Sequence, residues 1–122
     1  MSKIKKILIA EDELPISRAL ANKLTKEGYE ITVAGNGEEA IKAMTANKFD
    51  LAIIDLMMPI KDGWAVLEFA KKNKIKTPIV VASNLGQTED EKSVRELGAV
   101  NFFVKANTPI SKIVDYIKNY AN

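Results

Sequence analysis

The sequence predicts an α/β domain: a parallel sheet with helices packed on both of its faces. Three observations carry that prediction. Short apolar runs alternate with segments of helical period along the whole chain. The central runs, Ile7-Leu8-Ile9-Ala10, Leu51-Ala52-Ile53-Ile54 and Ile79-Val80-Val81-Ala82, are continuously apolar, as strands buried on both faces require. With 122 residues, the chain is long enough for one good core and too short for two.

Residues 7–10 form the first predicted strand. A helix follows, with Ile16, Leu20 and Leu24 spaced four apart, Pro15 near its start and Gly28 at its end. Residues 29–34 make the second strand, and Ala40, Ile41 and Met44 mark a short second helix. The third strand is residues 51–54. Gly63 then opens a helix whose inner face carries Val66, Leu67 and Ala70. Residues 79–82 form the fourth strand and residues 102–104 belong to the fifth. Thr108-Pro109 begins a last helix burying Ile110, Ile113, Val114 and Ile117, an i, i+3, i+4, i+7 set. The fourth helix, residues 88–97, differs: Val94 and Leu97 are its apolar content among Glu89, Asp90, Glu91, Lys92, Arg95 and Glu96. So little buried surface suits either a movable element or an ordinary exposed helix. Five strand–helix units with right-handed crossovers point to a doubly wound five-stranded parallel sheet, a (βα)5 three-layer sandwich of flavodoxin-like order 2-1-3-4-5.

Composition excludes several function classes. No cysteine is present, so there is neither a disulfide framework nor a thiolate metal site. Histidine is also absent, which removes the usual general base and the commonest zinc ligand. The formal charge is only +2 and the lysines are scattered without interleaved aromatics, so no nucleic-acid surface is expected. The first apolar run is too short for a signal peptide or a membrane span, and the expected location is the cytoplasm.

In an open parallel sheet, ligands bind beyond the carboxyl ends of the strands. The first strand delivers Glu11, Asp12 and Glu13 there, the third Asp55, the fourth Ser83 and the fifth Lys105. Strands one and three are neighbours in the expected order, so Glu11, Asp12 and Asp55 should converge. Clustered carboxylates repel unless a cation sits among them, and hard oxygen ligands suit Mg²⁺. Taken singly, each residue has a plainer explanation. Asp55 suits a helix cap, residues 11–13 an acidic first turn, Ser83 a cap and Lys105 an exposed side chain. Arrival at four strand ends together is the stronger signal.

At these positions the chain resembles the receiver domains of two-component response regulators. Ile7-Leu8-Ile9-Ala10-Glu11-Asp12-Glu13 resembles the family's first strand with its acidic pair. Residues 51–59, continuing to Asp62-Gly63, resemble its phosphoacceptor segment. Pro78-Ile79-Val80-Val81-Ala82-Ser83 is similar to the hydroxyl-bearing strand, and Gly98-Ala99 through Phe102-Phe103-Val104-Lys105 to the lysine strand. The resemblance implies a signalling switch rather than an enzyme. Asp55 would accept a phosphoryl group from a histidine kinase or histidine phosphotransfer protein. Mg²⁺ would be held by Asp12, Asp55 and the Met57 carbonyl, with Glu11 acting through water. Ser83 and Lys105 would contact phosphoryl oxygens, and Ser83 with Phe102 would form the switch. A downstream protein would bind the face made by the fourth helix, fifth strand and fifth helix. The chain ends after its fifth helix, so residues 1–122 are expected to be a stand-alone receiver with no output domain.

Two departures from the family pattern stand out. Ala106 follows Lys105 where the family usually has a cis proline. A cis bond to a non-proline residue costs ~3 kcal/mol, so a trans peptide and a rearranged loop are expected. Asn84 replaces the small residue after the hydroxyl, which suggests crowding of the site or a bond to a phosphoryl oxygen or water. Met57 and Leu85, the flanking positions, are apolar and cannot orient an attacking water, which predicts slow self-dephosphorylation. Trp64 is expected to pack locally near the pocket. Tyr116 and Tyr120 suit half-buried positions, or part of a partner face. Two competing readings use other chemistry: a degenerate receiver acting as a constitutive binding module, and an aspartyl-phosphate phosphohydrolase. The latter typically wants a second carboxylate two residues after the nucleophile, and that position is Met57.

Overall fold

The computed structural model describes residues 4–84 and 88–121. In chain order the elements are β1 (Lys6–Ala10), α1 (Leu14–Lys26), β2 (Glu30–Ala34), α2 (Gly37–Ala46), β3 (Leu51–Ile54), α3 (Gly63–Lys72), β4 (Ile79–Ser83), α4 (Thr88–Glu96), β5 (Asn101–Val104) and α5 (Ile110–Ala121). A 3₁₀ turn, Lys105–Asn107, joins β5 to α5. All strand pairs are parallel and the sheet order is β2-β1-β3-β4-β5, the order expected from the sequence.

Alternate side chains of the inner strands feed two cores, one on each face of the sheet. Leu8, Ala10, Ala52, Ile54 and Val81 point toward Ala40 and Met44 of α2, Val66 and Leu67 of α3, and Val94 of α4. Ile7, Ile9, Leu51, Ile53, Val80 and Ala82 point toward Leu20 and Leu24 of α1 and toward Ile113, Val114 and Ile117 of α5. Each helical stripe predicted from spacing is therefore a contact with one face of the sheet.

The outer strands differ from the inner ones. In β2 only Ala34 is buried, and Val33 is 45% exposed. Every residue of β5 is half-buried. Both strands lie at sheet edges, where continuous burial on two faces is lost. Helix α4 buries Val94 alone, with Leu97 packed partly against the same core.

Two loops on the carboxyl side of the sheet are fixed by caps and close approaches. Asn36 caps α2 by accepting the Glu39 amide at 2.8 Å, and its Nδ2 donates back to Glu39 at 3.0 Å. Asp62 caps α3 by accepting the Ala65 amide at 2.9 Å. Gly63 lies against the backbone of Asp55 and Leu56, where any Cβ would collide with the Asp55 carbonyl oxygen. Its amide donates to Leu56 O at 3.0 Å, which closes the β3–α3 loop on itself. Within that loop Ile60 has φ 69°, and the Lys61 amide donates to Pro59 O across it at 2.8 Å. A β-branched residue in this region is strained.

Candidate functional site

The parallel register decides which side chains meet. Ala10 pairs with Ile54, and the Asp55 amide donates to Ala10 O at 3.0 Å, so Glu11 and Asp55 leave the sheet side by side. Ser83 pairs with Val104, so Lys105 emerges one residue beyond the end of β4. Glu11, Asp55 and Ser83 are the buried polar residues at this edge.

Lys105 is the hub. Its Nζ donates to Glu11 Oε1 at 2.7 Å and to Asp55 Oδ2 at 2.9 Å, and it reaches Glu13 Oε1 at 3.4 Å. The lysine side chain is only 8% exposed. The second oxygens of both buried carboxylates are also engaged. Met57 N–H donates to Asp55 Oδ1 at 3.1 Å, and Glu13 N–H to Glu11 Oε2 at 3.1 Å. Neither carboxylate is a simple helix cap. Glu13 is the residue before α1 and makes no side-chain cap bond. The capping role belongs to Asp62, on the rim.

Carboxylate oxygens of Glu11, Asp12 and Asp55 lie within 4.8 Å of one another. Asp12 is exposed while the other two are buried, so the cluster opens to solvent on one side. Burial pushes Glu11 up to about 7, against the hydrogen bonds from Lys105 and from Glu13 N–H. Burial also works against the charge on Lys105, but its bonds to Glu11 and Asp55 outweigh this and raise its pKa above the usual lysine range. Four carboxylates (Glu11, Asp12, Glu13 and Asp55) face one ammonium. That imbalance, in an all-oxygen set with an open side, fits a hard divalent cation.

Asp12, Glu13, Asp55 and Lys105 form one wall of a cleft of about 760 Å³, lined also by Met57, Asp62, Trp64 and Asn84. Trp64 is half-buried and packs against the α2–α3 core, as expected. Met57 is exposed at the mouth. Phe102 is half-buried against the core that includes Val94 of α4. Leu85 lies outside the described residues. Tyr116 is half-buried and stacks on Tyr120 at 5.9 Å, with Phe103 edge-on to Tyr116 at 5.4 Å.

No cis peptide occurs among the described residues, so Lys105–Ala106 is trans, as the missing proline predicts. The loop takes the 3₁₀ form instead, and the Ala106 amide that proline would lack donates to Asn84 Oδ1 at 3.0 Å. Sequence reasoning missed this bond and also the contact of Glu13 with Lys105. The first had a visible signal, a free N–H at 106 and an acceptor at 84. The second had only a partial one: Glu13 stands with Glu11 and Asp12 after the first strand, but it reads equally well as a residue at the start of a helix.

The comparisons with known proteins point to one family. Residues 7–118 match the model of the response regulator receiver domain family. The Francisella response regulator 1452 receiver domain superposes with a TM-score of 0.88 at 30% identity, covering 94% of each chain. The response regulator TrrA from Thermotoga maritima, solved in complex with Mg²⁺-BeF, gives a TM-score of 0.81 at 30% identity, with 95% of this chain and 98% of that one covered. Among curated sequences, the probable transcriptional regulator ycf27 of Cyanophora paradoxa is 37% identical over 105 residues, 86% of this chain and 44% of its own length. The chain thus spans under half the length of such relatives. No helix among the described residues is long and apolar enough to cross a membrane. By family match, strand order and the solved structures it resembles, the chain belongs to the receiver domains of two-component response regulators.

Proposed function

We propose that Asp55 accepts a phosphoryl group from a phosphohistidine on a kinase or phosphotransfer protein, and that this switches a protein–protein contact. The observation that carries the reading is the buried Lys105 ammonium bridging Asp55 and Glu11 beside the solvent-open Asp12. A divalent cation such as Mg²⁺ would be held by Asp12, Asp55 and the Met57 carbonyl, with Glu11 acting through water; when bound it would offset phosphoryl charge. The relative solved with Mg²⁺-BeF supports that choice of ion.

An Asp55 carboxylate oxygen attacks phosphorus as the P–N bond to the donor imidazole breaks, and the departing nitrogen takes its proton from solvent. An ionised carboxylate needs no general base, so a site without histidine is sufficient. Position and charge carry the reaction. Lys105 follows the new charge onto a phosphoryl oxygen, and Ser83 donates its hydroxyl to another. Movement of Ser83 with the start of the β4–α4 connection gives Phe102 room to turn inward and shifts the weakly held α4, altering the α4–β5–α5 face that meets the target. The switch works in the cytoplasm with residues 1–122 as the receiver. Met57, at the mouth, is apolar, as is Leu85 by residue type, so neither of these two side chains can orient an attacking water by hydrogen bonding and the phosphoryl group is long-lived.

Intact-mass spectrometry after incubation with Mg²⁺ and acetyl phosphate, and separately with a phosphorylated histidine protein, tests the proposal. Wild type should gain the mass of one phosphoryl group and Asp55→Ala none. Should neither donor modify the wild type, the constitutive binding module becomes the better reading. A decay of the adduct within seconds would contradict the long lifetime.

A further inference from the structure

We infer that Asn84 is a positioning residue for Lys105, holding the lysine strand where most receivers use a prolyl ring. The inference rests on the phosphoacceptor reading above and adds a residue to it. Its basis is the 3.0 Å bond from Ala106 N–H to Asn84 Oδ1. The last ladder pair between β4 and β5 is Ser83 with Val104. Asn84 is the next residue after Ser83, and Ala106 is two beyond Val104, so the side-chain bond continues the β4–β5 connection past the end of the strands. On the other side of the same peptide, Thr108 N–H donates to Lys105 O at 3.3 Å. The peptide after Lys105 is therefore held from both directions, and the lysine stem leaves a fixed point toward Glu11 and Asp55.

The bond also ties two arms of the site together. Ser83 and Lys105 sit on adjacent strands, and both are assigned to phosphoryl oxygens. With Asn84 bonded to Ala106, a shift of the residues following Ser83 is transmitted to the backbone of Lys105. A proline in place of Ala106 would lack the N–H, so this coupling belongs to the Asn84/Ala106 combination. Asn84 also lines the cleft, which gives a distinct alternative role: crowding of small phosphodonors.

A double-mutant cycle separates the two roles. Wild type, Asn84→Ala, Ala106→Pro and the double variant are compared in phosphorylation by acetyl phosphate at saturating Mg²⁺, followed by Trp64 fluorescence and confirmed by mass. Positioning predicts that Asn84→Ala slows phosphorylation by about tenfold when Ala106 is kept and has no further effect in the Ala106→Pro background. Saturating Mg²⁺ keeps the cation site filled in every variant, so the comparison reads the transfer step rather than metal affinity. Crowding predicts faster phosphorylation in both backgrounds, and that result would overturn the inference, as would an unchanged rate. A second arm needs no phosphorylation, so it stands even if the phosphoacceptor reading fails. In the unmodified protein, Asn84→Ala should speed hydrogen exchange at the Ala106 amide and shift the Lys105 side-chain NMR signals. Asn84→Asp, which keeps the acceptor, should preserve slow exchange. Unaltered exchange and unaltered Lys105 signals in Asn84→Ala would refute the positioning role. This arm also covers an Ala106→Pro variant that fails to fold.

Discussion

At the scale of single residues, the domain combines local strain with local electrostatic support. Ile60 is held at φ 69° and is 73% exposed, so it contributes little burial to offset its conformation. Asparagine tolerates the left-handed region far better than a β-branched residue. Ile60→Asn should raise unfolding stability by about 1 kcal/mol, read as a higher urea midpoint at unchanged slope. At the opposite end of the sheet, Asp50 accepts the amides of Lys6 and Lys5 at 2.9 and 3.0 Å, and these two bonds hold its carboxyl below the usual aspartate range. Since the folded pKa is depressed, the ionised form stabilises the fold. That contribution is full above the unfolded value of about 3.9 and is lost as pH falls through the folded value. Asp50→Asn should therefore be less stable than wild type at neutral pH, and the gap should close on acidification. A gap independent of pH would show that the charge is irrelevant.

At the scale of elements, α4 stands apart. Its buried residue is Val94, whereas α5 buries Ile113, Val114 and Ile117, and α3 buries Val66, Leu67 and Ala70. Few buried contacts mean a low local opening energy. Amides of α4 should exchange with solvent well before those of α3 and α5. Val94→Ala should cost about 2 kcal/mol and deepen that difference. Equal protection across the three helices would remove the physical basis for α4 as the moving part. Element type was largely legible in the sequence for a related reason: the stripes at Leu20/Leu24, Val66/Leu67 and Ile113/Ile117 have helical period because each rests on one face of the sheet. Edge behaviour was less legible. Residues 29–34 interleave Glu30 and Thr32 with apolar residues, unlike the inner strands. Yet that alternation would put Val33 on the covered face with Ile31, and its exposure follows from the edge position in the sheet order.

At the scale of the whole molecule, the sheet order turns distant acidic residues into one site. Glu11, Asp12 and Asp55 were visible in the sequence as strand-end residues, and their convergence followed from placing β1 beside β3. How far the site is tied together could not be read from residue types. Glu11 and Glu13 share Lys105, and Asn84 reaches Ala106; these contacts depend on side-chain directions across loops, which neither periodicity nor spacing encodes. The central claim is that this assembly loads Asp55 and no other residue. Reductive trapping tests it most directly: the phosphorylated protein is treated with borohydride, which reduces an aspartyl phosphate to homoserine, and its peptides are sequenced by mass spectrometry. Homoserine at position 55, absent when Mg²⁺ is chelated during phosphorylation, is the predicted result. Homoserine at position 12, or a phosphoryl group found only on serine or threonine, would contradict the account.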